Sequence, residues 1–290
     1  MPWLQLRISA TKKNTEQLSD VLMEAGALAV TLQDAGDQPL LEPGPGETPI
    51  WSETIVIGLF NADEDMNAVM RFVESKTGSA FQYKLDPLED KDWERAWMDN
   101  YHPMSFGDRL WIVPSWTPPP DPDAVNILLD PGLAFGTGTH PTTALCLEWL
   151  DQHDIYGKEI IDYGCGSGIL AIAAALLGAK HVWAIDHDPQ ALTATLANAE
   201  KNNISEKISV GRPHELPEIQ ADIILANILA GPLMSLAGHL AKHTKTGGNI
   251  ILSGLLVAQA QEVTDQYRTH YSMHNPVQKE GWVRLDGKKM

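Results

Sequence analysis

Two glycine clusters stand close together in the chain: LDPGLAFGTGTHPTT, from Leu129 to Thr143, and IIDYGCGSGIL, from Ile160 to Leu170. In the second, Gly164, Gly166 and Gly168 fall between a run that reads as an apolar strand and one that reads as an apolar helix. Glycine at a strand-to-helix turn permits a tight reversal and lets a ligand approach the backbone closely. Such turns also occur without ligands, so the reading depends on its neighbours. The next strand-like run, VWAID, ends in Asp186. A carboxylate at the end of the second strand of an α/β unit is placed to accept hydrogen bonds from ribose hydroxyls. Asp188 directly precedes Pro189 and suits the cap of the following helix, which leaves Asp186 as the ribose ligand.

The glycine spacing discriminates between cofactors. The dinucleotide fingerprint G-x-G-x-x-G needs glycine at position 169, which is Ile169; the chain has G-x-G-x-G preceded by Asp162. A pyrophosphate favours a helix N-terminus without an adjacent carboxylate. The cationic ammonium and sulfonium of S-adenosylmethionine suit acidic company, so the pattern points to that cofactor. Further on, ADIILANILAGPL puts Asn227 at the carboxyl end of an apolar strand, the edge where open α/β sheets bind ligands. N-I-L-A-G-P is similar to the Asn-Pro-Pro-aromatic motif of nitrogen-directed methyltransferases, whose asparagine sits beside the reacting amine. Only Asn227 and the later Pro232 match it, and a plain strand-ending turn is the other reading.

The first cluster is not a phosphate loop. A P-loop requires a lysine, and none occurs between Asp92 and Gly157. His140 has no second His or Cys at zinc-ligand spacing, so no metal is expected. What remains is a glycine-threonine segment running into a helix with Thr142 and Thr143 in its first turn. Hydroxyls there can meet a carboxylate, or serve as an ordinary cap.

These groups need a scaffold. Over the first part of the chain, Leu4, Leu6 and Ile8 alternate with polar residues, and a helical stripe of Leu18, Val21, Leu22 and Ala25 follows. Strands at 27–32 and 54–60, a helix at 65–76 and a strand at 80–85 complete a β-α-β-β-α-β order, that of the ferredoxin-like fold. Trp93, Trp97 and Tyr101 recur at helical spacing and read as one face of a linker helix ended by Pro103 and Gly107. Beyond residue 140, strand-like and helix-like runs alternate, which argues for a doubly wound parallel sheet. Tyr271–Glu280 and Trp282–Asp286 read as an antiparallel hairpin at the sheet edge, turning at Gly281. The expected organisation is a small ferredoxin-like module at 1–88, a linker helix at 89–106 and an α/β methyltransferase module at 107–290.

Acidic residues outnumber basic ones 38 to 21 in 290 residues, for a net charge of -17. Phosphate contacts need clustered Lys and Arg, so direct nucleic-acid binding is not expected. Only Cys146 and Cys165 are present, and the N-terminus lacks a signal-peptide pattern. With no apolar run of membrane-spanning length, the expectation is a cytoplasmic protein without membrane contact.

In order, DKDWERAWMDNYHPMSFG, LDPGLAFGTGTHPTT, DYGCGSGIL and NILAGPL resemble the bacterial ribosomal protein L-eleven (L11) methyltransferases. The likeness runs essentially end to end, with small departures at Tyr101, Ser105 and Ala184. It implies a Rossmann-like, seven-stranded class I methyltransferase domain preceded by a ferredoxin-like module that recognises the ribosomal protein. It also implies S-adenosylmethionine-dependent methylation of lysine side chains and of the terminal α-amino group of L11, by a monomer. Carried over by position, Thr143, Gly164, Asp186 and Asn227 are cofactor contacts, joined by Gly166 of the glycine turn. Asn227 is also the candidate catalytic residue, and FGTGTHPTT the cover over the cofactor's methionine end. The rival readings are an N-methyltransferase for glutamine or a small-molecule amine, and a non-catalytic, cofactor-binding ribosome-assembly factor.

Overall fold

The computed structural model describes residues 3–36, 38, 48–88, 101–130 and 138–290. The chain divides into two compact units, Met1–Trp97 and Met98–Met290.

The first unit runs β1 (Trp3–Thr11), α1 (Thr15–Glu24), β2 (Ala29–Asp34), β3 (Glu53–Asn61), α2 (Met66–Thr77) and β4 (Tyr83–Leu88). Its sheet has the order β2-β3-β1-β4, and every neighbouring pair is antiparallel. Alternation puts Leu6 and Ile8 of β1 and Val56 and Phe60 of β3 on one face, against Leu18 and Leu22 of α1 and Met70 and Val73 of α2. Asp65 caps α2 by accepting the Asn67 and Ala68 N–H groups at 3.0 and 3.2 Å.

The second unit opens with a three-stranded sheet, β5 (Met104–Phe106), β6 (Leu110–Val113) and β7 (Val125–Leu128). The expected linker helix at 89–106 needs correction here. Residues 89–100, with Trp93 and Trp97, lie outside the described residues, while 101–103 are irregular and Met104–Phe106 is a strand. The buried ring of Tyr101 stands 6.3 Å from Trp116 of the same unit.

Then follow α3 (Pro141–Gln152), β8 (Glu159–Tyr163), α4 (Ile169–Leu176), β9 (His181–Ile185), α5 (Pro189–Lys201), β10 (Ile208–Gly211), β11 (Ala221–Asn227), α6 (Ala230–Lys242), β12 (Thr244–Leu256), α7 (Ala260–Tyr267), β13 (Tyr271–Met273), β14 (Val277–Lys279) and β15 (Trp282–Lys289). They form a sheet of order β10-β9-β8-β11-β12-β15-β13, with β14 paired onto β15. Pairings from β10 to β12 are parallel, and β15 is antiparallel to both its neighbours. Along β8 and β11, Ile160 and Leu225 enter one core while Ile161 and Ile224 enter the other. Burial on both faces explains the unbroken apolar runs of these strands.

The C-terminal hairpin differs from expectation in two respects. Its first arm breaks into β13 and β14 around Pro276, which has no N–H for a ladder. Its second arm is interior, since β15 inserts between β12 and β13 with Val283 and Leu285 fully buried.

Strand order reverses between β8 and β11: the chain leaves β8 towards β9 and β10, then returns to β11 on the other side. Such a switch point opens a crevice beyond the carboxyl ends of the two strands. Those ends are Tyr163 and Asn227.

Candidate active site

Gly164 turns the chain out of β8 with φ of 83°, in the left-handed region. A Cβ built there would fall 2.2 Å from Cγ2 of Ile228, so glycine is required both for the turn and for the close approach of the segment after β11. Gly166, at φ 54°, donates its N–H to Oδ2 of Asp186 at 3.0 Å. The other oxygen, Oδ1, accepts the Asp188 N–H at 3.0 Å, and Asp188 caps α5 by accepting from Gln190 N–H at 2.9 Å. Asp186 is thereby held at the end of β9; Oδ1 also lies 3.4 Å from His187 Nδ1, and Oδ2 keeps a further lone pair for a hydroxyl donor. The turn is tied to α5 by Thr195, whose hydroxyl donates to the Gly166 carbonyl at 3.1 Å, and by Asn198, whose amide donates to the Ser167 carbonyl at 2.9 Å.

These residues form one wall of a cavity of ≈ 510 Å³. Tyr163, Gly164, Gly166 and Asp186 line it together with Asn227, Ile228, Leu229 and Pro232. Asn227 is held from outside its own strand: its Nδ2 donates to Oγ1 of Thr143, in the first turn of α3, at 3.3 Å. Its Oδ1 is buried and has no hydrogen-bond partner among the described residues. An amide with one end fixed and the other unmatched is a poised acceptor.

The helix behind Thr143 is capped by His140, not by a threonine. His140 Nδ1 accepts the Thr142 N–H at 3.3 Å and lies 2.7 Å from the Thr142 hydroxyl, while the ring sits edge-on to Trp282 with centroids 4.6 Å apart. Burial moves the imidazole pKa below its usual range, against a smaller opposing effect of Glu280. The neutral ring therefore spends its acceptor nitrogen on the cap, which disfavours a role as proton acceptor.

Beneath the glycine turn lies Asp162, only 1% exposed. Oδ2 accepts the Ala171 N–H at 3.0 Å, and Oδ1 has no partner among the described residues. Burial pushes its pKa up to about 7, against the lowering effect of that N–H and with a further push from Asp186.

All five site residues expected from the sequence meet here: Gly164, Gly166, Asp186 and Asn227 line the cavity, and Thr143 joins them through Asn227. Of the segment FGTGTHPTT expected as a cover, residues 135–137 lie outside the described residues. Sequence reading missed Thr195 and Asn198, which carry no motif, and the apolar wall of Ile228 and Leu229, although both stand inside N-I-L-A-G-P. A second cleft, of ≈ 270 Å³, lies at the opposite edge of the sheet. Its Lys245 already pairs with Asp222 at 3.0 Å and Glu159 at 3.4 Å.

The five parallel strands, the antiparallel strand inserted beside the last, the glycine turn after β8 and the carboxylate after β9 together make a Rossmann-like class I methyltransferase domain. Within that class the relationship is closer still. Residues 2–290 match the family model "Ribosomal protein L11 methyltransferase (PrmA)", and the chain belongs to that family. It is 55% identical over 295 residues to a ribosomal protein L11 methyltransferase of Marinobacter nauticus, covering 100% of this chain and 99% of the relative. A second relative of the same description, from Shewanella sediminis, is 55% identical over 290 residues, 99% of each chain. Among solved structures, a ribosomal protein L11 methylase from Lactobacillus delbrueckii subsp. bulgaricus matches with a TM-score of 0.61 at 33% identity, over 65% of this chain and 99% of that one.

Proposed function

We propose that this protein uses S-adenosylmethionine to methylate ribosomal protein L11 on lysine side chains and on its terminal α-amino group. The first unit holds the substrate and the second carries the chemistry. The observation behind this reading is the Asn227 amide, fixed by Thr143 and left with an oxygen unmatched among the described residues, in the cavity that Gly164, Gly166 and Asp186 also line. The relatives' shared description supplies L11 as the substrate.

The residues fit the cofactor. Asp186 suits ribose hydroxyls and brings a carboxylate to the cavity, and Ile228, Leu229 and Pro232 offer an apolar wall to a base. When bound, the cofactor supplies an electrophilic methyl group whose thioether leaves without needing an acid. The difficulty lies in the nucleophile, because a lysine with pKa near ~10.4 carries no free lone pair at neutral pH. The apolar wall disfavours the ammonium by desolvation. The Asn227 oxygen accepts an N–H of the amine and points its lone pair along one line, an orientational contribution rather than a proton transfer. No side chain here is assigned as general base. The net charge of -17 suits a lysine-rich partner better than a nucleic acid. Among the described residues no helix is long and apolar enough to cross a membrane. We take the enzyme to act as a cytoplasmic monomer.

The test is incubation with methyl-labelled S-adenosylmethionine and free L11, followed by mass analysis of the product. Label on lysine side chains and the α-amino group is the expected result. An unlabelled L11 would refute the assignment, and label on glutamine or a small amine would replace it.

A further inference from the structure

We propose that Arg284 is a positioning residue for the reaction, holding the N-terminal part of α3, and with it Thr143, against Asn227. The amide of Asn227 takes its orientation from α3, because among the described residues its one hydrogen bond to a side chain goes to Thr143. The C-terminal hairpin is one of the elements that hold α3, beside the core packing of Leu147 and Leu150 and the Asp151 carboxylate on the Asp108 and Arg109 N–H groups. Arg284, on β15, is 8% exposed, and its Nη1 donates to the carbonyl of Leu145, two residues beyond Thr143, at 3.1 Å. Nε and Nη2 each lie 3.3 Å from Oδ1 of Asp286, whose Oδ2 is 2.7 Å from Nδ1 of His274. The buried cation is thus neutralised on its own strand, and of its remaining N–H groups one on Nη1 goes to the Leu145 carbonyl of the helix.

Two further contacts flank that bond. Trp282 meets the ring of His140, the cap of α3, and Lys279 pairs with Glu148 of α3 at 2.7 Å. Packing alone would be served by an apolar side chain of similar length, which is often neutral or stabilising in place of a buried ion pair. A planar fork that ends on one carbonyl instead specifies where the helix turn sits. The inference rests on the reading of Asn227 as the residue that aligns the amine.

The test compares Arg284→Met, Arg284→Lys, Asn227→Ala and the Arg284→Met/Asn227→Ala double variant in the full chain. Assays run well below each variant's Tm, with kcat and KM measured for both substrates. Arg284→Met is expected to lower kcat about tenfold or more with KM changed less than about twofold, the scale of a small misplacement of a reacting group. In the Asn227→Ala background the same change should cost less than about twofold, since one element acts through the other. Arg284→Lys, which keeps the charge and is the variant to use if methionine prevents folding, should give an intermediate kcat with Tm nearly unchanged. Wild-type kcat in Arg284→Met or Arg284→Lys, or losses that multiply in the double variant, would make the arginine merely structural. Wild-type kcat in Asn227→Ala alone would overturn the alignment reading itself, and this proposal with it.

Discussion

Asn227 shows how little of a residue's role lies in its type. Its place at the end of an apolar strand was readable, but its bond to Thr143 and its unmatched oxygen were not, because Thr143 is 84 positions away in the chain. Replacement by alanine should lower kcat by roughly 10²-fold, the cost of losing one oriented group at a reacting centre, with a smaller loss of cofactor affinity because Asn227 also lines the cavity. Single-turnover transfer to L11 and calorimetric titration of the cofactor would check both halves. Asp162 makes a different prediction. Its folded pKa of about 7 lies above the ordinary value of 3.8, so the folded state binds a proton more tightly than the unfolded chain. That contribution is full below the unfolded pKa and is lost as pH rises through about 7. In the cofactor-free protein, Asp162→Asn should therefore gain Tm relative to wild type as pH rises from about 5 to about 8. Parallel Tm profiles for the two proteins would contradict the raised pKa. Gly164, Gly166 and Asp186 were legible because a positive φ and a strand end impose local demands on residue type.

Among the elements, the parallel strands and their helices were legible from apolar periodicity, whereas the end of the segment expected as a linker helix was not. The helical spacing of Trp93, Trp97 and Tyr101 was extended to residue 106, where Met104–Phe106 instead pairs with β6. Three residues are too few to display alternation, and the pairing is set by a partner strand. The turn joining them depends on Gly107, at φ 71°, where a Cβ would fall 2.1 Å from Oδ2 of Asp151. That buried carboxylate accepts the Asp108 and Arg109 N–H groups at 2.7 and 3.0 Å, fastening the turn to α3. Gly107→Ala should cost on the order of 2–4 kcal/mol, combining backbone strain with a broken buried contact. Urea unfolding would measure this, and an unshifted midpoint would mean that the turn relaxes freely.

At the scale of the whole molecule, the division into Met1–Trp97 and Met98–Met290 separates a unit bearing an α+β sheet from the unit that bears the cavity. If the first unit recognises the substrate, a chain beginning at Met98 should still bind S-adenosylmethionine but transfer no methyl to L11. Calorimetry and label transfer on that fragment would decide; retained transfer would remove the recognition role. The net charge of -17 adds a second expectation. KM for a basic L11 should rise with salt over the range in which the Debye length falls from about 10 Å to about 3 Å, while cofactor affinity changes far less. A KM insensitive to salt would leave the acidic surface as a solubility feature.

By itself the sequence determined the alternation of strands and helices, the glycine turn, the carboxylate after the second strand and the asparagine after the fourth. Each of these is dictated by neighbours in the chain: a hydrophobic period, a left-handed backbone angle, a strand end. Only the tertiary structure decided that Thr143 holds Asn227, that Asp162 stays buried with an oxygen unmatched among the described residues, and that β15 enters the sheet with Arg284 reaching α3. Those outcomes depend on contacts between residues far apart in the chain, and burial turns each such contact into a constraint that local pattern does not carry.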